Sequence, residues 1–158
     1  MFPAPVGAAP GRWHPACHAR LRMTPHPSVL VGFRDSSARS LEFRDRLGGW
    51  VRGCGYEPRF TEDAEEALEW LRRDAFAVSF LDSEFERARG EPVWRGVQPG
   101  VARRVVLMAR ESRRELMFEA LRLGVATVLP LPPVEAMVRA ALAVASGADP
   151  NRRDETDF

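Results

Sequence analysis

Apolar residues along this chain follow two patterns that alternate. One is the short unbroken run: Val29-Leu30-Val31-Gly32-Phe33, then Phe76-Ala77-Val78-Ser79-Phe80-Leu81, then Val105-Val106-Leu107-Met108 within Arg104 to Ala109. Runs of this length without polar alternation predict strands buried on both faces, as at the centre of a parallel sheet. The other pattern repeats at three and four residues and predicts helices with one buried stripe. Phe43, Leu47, Trp50, Val51 and Cys54 mark the first helix, with Ser36 or Ser37 as N-cap and Gly53 and Gly55 closing it. Ala64, Ala67, Leu68 and Leu71 mark the second, which starts near Asp63; acid at its start and arginine at its end suit the helix dipole. A short strand, Tyr56 to Phe60, lies between them.

The second half repeats the alternation. Glu91 to Val97 predicts one or two helical turns with Pro92 near the start, and Gly96 and Pro99 argue against anything longer. A helix from Ser112 to Leu123 ends at Gly124, with Met117, Ala120 and Leu121 as its stripe and Phe118 lying off it. The strand Ala126 to Leu129 follows, then the turn Pro130-Leu131-Pro132-Pro133. A last helix carries Val134, Met137, Val138, Ala141, Leu142 and Ala145 on one face. Strand and helix alternating with short loops predict an α/β three-layer sandwich. Its core is a doubly wound, five-stranded parallel sheet, most simply in flavodoxin-like order 2-1-3-4-5. The expected domain is 28–146, preceded by a flexible Pro-rich leader, 1–27, and followed by a flexible charged tail, 147–158.

Composition narrows the chemistry. A hydrophobic content of 45 % supports a real core, and a net charge of +1 supplies no global field toward nucleic acid or membrane. All 23 basic residues are arginine, so no step needing a side-chain amine is available. Cys17 and Cys54 make no disulfide framework, and His14, Cys17 and His18 in the leader lack the spacing of a closed metal site. With no signal peptide and no apolar run of spanning length, the expected location is cytoplasmic, without membrane attachment.

Asp82 ends the central run, where open α/β sheets hold ligands. Leu81-Asp82, Gly90 beyond it, Glu119-Ala120-Leu121-Arg122-Leu123-Gly124-Val125 and Val128-Leu129-Pro130-Leu131-Pro132 occur in the order and spacing of a known family. Over about 28–146 the chain resembles the receiver domain of bacterial two-component response regulators, of the chemotaxis type. The resemblance implies a phosphoacceptor aspartate at the end of strand three, an acidic pair after strand one that binds Mg²⁺, and a hydroxyl after strand four. It also implies a lysine before a proline after strand five, and an aromatic switch on that strand.

Asp82 matches the acceptor, and the departures are many. The acidic pair falls on Phe33 and Arg34, with Asp35 next along; the hydroxyl position is Ala109, the lysine Leu131 with Pro132 retained, and the switch Val128. Phe85-Glu86 stands for the usual Met-Pro. Arg34 could pair with Asp82 and stand in for the metal's charge. The pocket thus reads as degenerate, with no catalytic residue, no resident metal or cofactor, and Mg²⁺ relevant only if Asp82 is phosphorylated.

The expected function is a stand-alone, phosphorylation-independent protein-interaction module in bacterial signalling. Its partner surface would be the fourth helix, fifth strand and fifth helix, with Arg113, Arg114, Phe118, Arg122 and Arg139, and a homodimer through the same surface is open. The alternative is an atypical receiver phosphorylated on Asp82 by a histidine kinase. With no output domain after residue 146, it too is expected to act through a separate protein. DNA binding would use Arg103-Arg104, Arg113-Arg114 and Arg152-Arg153, but no recognition helix accompanies them. A cofactor-binding flavodoxin-like role lacks a phosphate-cradling glycine loop after strand one, where Arg34-Asp35-Ser36-Ser37 stands.

Overall fold

In the computed structural model, which describes residues 27–34, 38–73, 76–110 and 114–147, each apolar run is a strand whose side chains leave alternately to opposite faces. β1 (Ser28–Gly32), β3 (Val78–Asp82) and β4 (Val105–Ala109) form the centre, with β2 (Glu57–Thr61) and β5 (Thr127–Pro130) at the edges. The order is β2-β1-β3-β4-β5 and every pair is parallel, as the alternation predicted. Edge strand β2 carries Pro58, which is tolerated there because an edge leaves one side of the strand without a ladder.

Two cores follow from the strand alternation. Val29, Val31, Val78, Phe80, Val106, Met108 and Leu129 meet Leu47 and Val51 of α1 (Ala38–Gly53) and Val138, Ala141, Leu142 and Ala145 of α5 (Glu135–Ser146). Leu30, Leu81, Val105 and Leu107 face the other way. They pack on Ala67, Leu68 and Leu71 of α2 (Ala64–Arg72), on Val93 and Trp94, on Ala102 of α3 (Pro99–Ala102) and on Ala120 of α4 (Arg114–Leu123). Burying a Leu, Ile or Phe side chain contributes about 1.5–3 kcal/mol each, so these two layers are the main stabilising term.

Local signals set the ends of the elements. Asp63 caps α2, its Oδ1 accepting from Glu65 N at 2.9 Å and Glu66 N at 3.2 Å. Gly124 ends α4 with φ of 80°, a backbone conformation in which other residues are strained. Ser36 and Ser37, the expected caps of α1, lie outside the described residues, as do the leader through residue 26 and the tail from 148 onward.

The helical segment after β3 is short, as expected, a 3₁₀ turn at Val93–Gly96 behind Pro92; a second short helix, α3, opened by Pro99, was not expected. Proline at a first helical position loses no hydrogen bond and is already at helical φ. On α4 the inward stripe is Leu116, Ala120 and Leu123, whereas Met117 and Leu121 face solvent. On α5, Val134 and Met137 are also exposed beside the buried Val138, Ala141, Leu142 and Ala145. Both helices flank β5, which pairs only with β4. The sheet ends there, so an apolar stripe wider than the strand beneath it is left uncovered.

Candidate functional site

The carboxyl ends of β1, β3, β4 and β5 converge at one edge of the sheet and bring together Phe33, Asp82, Ala109 and Leu131. Asp82 is half-buried and paired in register with Met108. Its Oδ1 accepts from Glu84 N at 2.9 Å and its carbonyl from Phe85 N at 3.0 Å, so it holds the turn that leaves β3. That turn drives Phe85 into the core. A Cβ on Gly32 would meet the Phe85 ring at 2.9 Å, which requires glycine at the end of β1.

The other positions of the receiver pattern are filled by packing. Phe33 is 4 % exposed and stands edge-on to Phe43 and Phe60, at centroid distances of 5.9 and 6.4 Å. Arg34 is exposed, and among the described residues no salt bridge joins it to Asp82. Asp35 lies outside the described residues. Ala109 is buried, with its carbonyl accepting from Leu131 N at 2.9 Å. Leu131 packs on the α1–α5 core and its bond to the exposed Pro132 is cis. Val128 leans on the opposite core. Among the described residues no three His, Cys, Asp or Glu side chains gather as a metal site.

Beside Asp82 a cleft of about 430 Å³ lies between the segment after β3 and α4, lined in part by Ser83, Glu84, Trp94, Glu115 and Leu116. Arg95 spans it, its Nε 2.8 Å from Glu119 Oε1 and its Nη2 2.9 Å from Oε2, with the guanidinium 5.4 Å from the Trp94 ring centroid. Sequence reasoning did not find this clamp. Arg95 and Glu119 are 24 residues apart, and no local spacing signals their pairing. Trp94 Nε1 is buried with no acceptor among the described residues.

The predicted partner surface divides. Arg114, Phe118 and Arg122 are exposed on α4, and Phe118 is 59 % exposed, which places it outside the core. Arg113 lies outside the described residues. Arg139 is on the far side of α5, 3.0 Å from Glu135 and close to Gly53 at the end of α1, so it does not share the α4–β5–α5 face. The hydrogen bond to Glu135, with the charges of Cys54 and Glu135, raises the Arg139 pKa. A raised arginine pKa leaves that pair intact at neutral pH, to be lost only in strong alkali. Of the arginines weighed for nucleic acid, Arg104 turns inward, Nη1 donating to Phe76 O at 3.3 Å. No helix among the described residues is long and apolar enough to cross a membrane.

Solved structures share this architecture. A candidate response regulator from Chloroflexus aurantiacus J-10-fl matches over 78 % of this chain and 99 % of its own, at 16 % identity and TM-score 0.58. The fold is that of a receiver domain. The receiver domain of a Mycobacterium tuberculosis candidate response regulator, NarL, is 22 % identical over 78 % of this chain and 99 % of its own, with TM-score 0.56. The receiver domain of a sensor histidine kinase from Pseudomonas aeruginosa PAO1, solved with magnesium coordinated in its active site cleft, matches the same share of this chain and 99 % of its own. It is 13 % identical, with TM-score 0.59. No protein-family model and no curated protein matches the sequence.

Proposed function

We propose that this receiver fold is a degenerate one, acting by protein contact in bacterial signal transduction without phosphorylation of Asp82. The observation that carries the reading is Phe33. A phosphoryl-accepting corner needs fixed positive charge and a cation held by carboxylates. Here the carboxylate position is an aromatic ring packed on two others, and Ala109 and Leu131 present no donor to a phosphoryl oxygen. Asp82 then serves as the cap of the β3 turn. Contact falls to the exposed α4–β5–α5 face, where Arg114, Phe118 and Arg122 offer residue types common at interface hot spots.

The test is incubation with acetyl phosphate, or with beryllofluoride and Mg²⁺, read by intact mass and by amide shifts around Asp82. No adduct and no Mg²⁺-dependent shift is the expected result. A stoichiometric adduct, abolished by Asp82→Asn, would establish the second reading, an atypical receiver phosphorylated by a histidine kinase. That reading is favoured by Asp82 itself, a carboxylate kept at the end of β3 and not fully buried.

A further inference from the structure

We propose that the cleft between the segment after β3 and α4 binds a free α-amino acid with an apolar side chain. The ligand carboxylate takes Arg95 and the ligand ammonium takes Glu119, two residues that otherwise hold each other. This goes beyond the protein-contact reading and does not depend on whether Asp82 accepts a phosphoryl group.

Backbone hydrogen bonds fix one wall of the cleft. Ser83 N donates to Met108 O at 2.8 Å, Glu84 N to Asp82 Oδ1 at 2.9 Å, and Val93 N to Phe85 O at 2.8 Å. Asp82 thus sets where Glu84 stands on that wall. The volume of about 430 Å³ falls within the range of small-molecule sites, roughly 300–1,000 Å³. What closes the cleft is held by side chains alone. Arg95 meets Glu119 through two bonds of 2.8 and 2.9 Å, and the two side chains are 52 % and 41 % exposed. Ion pairs with that much exposure separate at little cost, so this one opens to a competing charge.

The pair selects the ligand. An anion alone would draw off Arg95 and strand Glu119; a cation alone would do the reverse. A zwitterion with adjacent charges replaces both halves at once and keeps the bidentate contact that arginine makes with a carboxylate. Trp94 adds an independent demand. It borders the cleft and is 1 % exposed, yet its Nε1 has no acceptor among the described residues. A buried donor without an acceptor is costly and uncommon in folded proteins. The Arg95 guanidinium lies over the same ring, 5.4 Å from its centroid. Drawing Arg95 toward a ligand carboxylate uncovers the indole, which then donates to a carboxylate oxygen. Pro92 and Leu116 supply apolar lining for the ligand's side chain.

The experiment uses the full chain, isotopically labelled, and follows the Trp94 indole N–H resonance, identified by its loss in Trp94→Phe. The probes are L-phenylalanine and L-leucine, each beside its decarboxylated amine and its deaminated acid. An amino acid is expected to shift that resonance saturably and to bind at least about tenfold more tightly than either single-charge analogue. Arg95→Ala and Glu119→Ala are each expected to weaken binding about tenfold or more, with thermal melts unchanged because the pair is exposed. Trp94→Phe keeps a ring and loses the donor, and should weaken binding by about threefold or more. Binding of neither amino acid, equal affinity for the single-charge analogues, or indifference to Arg95→Ala overturns the proposal. So does a shift confined to resonances remote from Trp94, which would place the amino acid elsewhere.

Discussion

At the end of β1 the ring of Phe33 is buried against Phe43 and Phe60, while on α4 the ring of Phe118 stands 59 % exposed. Around Asp82, Phe33, Ala109 and Leu131 occupy positions where the receiver pattern puts acidic, hydroxyl and amine groups, and the core absorbs them. On α4, apolar groups remain in water although the core is complete without them. Folding accounts for the first set, since burial stabilises the chain. It does not account for the second, which gains stability only when something covers it. This difference is the ground for proposing a function away from the sheet edge that carries Asp82.

Restoring a carboxylate at position 33 puts the greatest strain on this contrast. Phe33→Asp removes a buried ring and leaves a charge in its place, and is expected to cost at least about 3 kcal/mol in chemical denaturation. If the variant instead loses under about 1 kcal/mol and gains stability from Mg²⁺, the corner is not a packed one and the contrast fails. Next is Gly32→Ala, whose Cβ would press on Phe85 at 2.9 Å; a loss of about 1–3 kcal/mol is expected from the same measurement.

Asp82 gives an intermediate effect. Asp82→Ala removes the acceptor for Glu84 N and should cost about 1 kcal/mol, while Asp82→Asn, which can still accept, should cost less. Equal melting temperatures for the two variants would deny Asp82 its turn-capping role. Phe118→Ala should be the mildest of all for stability, within about 0.5 kcal/mol, while removing partner binding. A larger loss of stability there would mean that Phe118 packs against the fold and is no docking residue.

Much of this was legible without coordinates because it depends on local rules. Unbroken apolar runs become strands buried on both faces, and Asp63 caps the helix that its spacing predicts. Position in the chain also marked Asp82, since the end of a central parallel strand is fixed by where the apolar run stops. Helical periodicity was less informative on α4. It found an apolar helix there but assigned Met117 and Leu121 to the buried stripe in place of Leu116 and Leu123. The three-and-four spacing is satisfied by either choice, and only the position of the sheet edge tells them apart.

The sequence by itself therefore determined the main strands and helices, their parallel order, and the apolar residue types of Phe33, Ala109 and Leu131. Periodicity and composition act between neighbours in the chain, and a strand–helix alternation with short connections leaves few topologies. The tertiary structure decided which apolar residues are covered, that Arg95 grips Glu119, and that Arg139 faces α1. Each of these depends on the distance between elements remote in sequence, set by packing, which no spacing along the chain encodes.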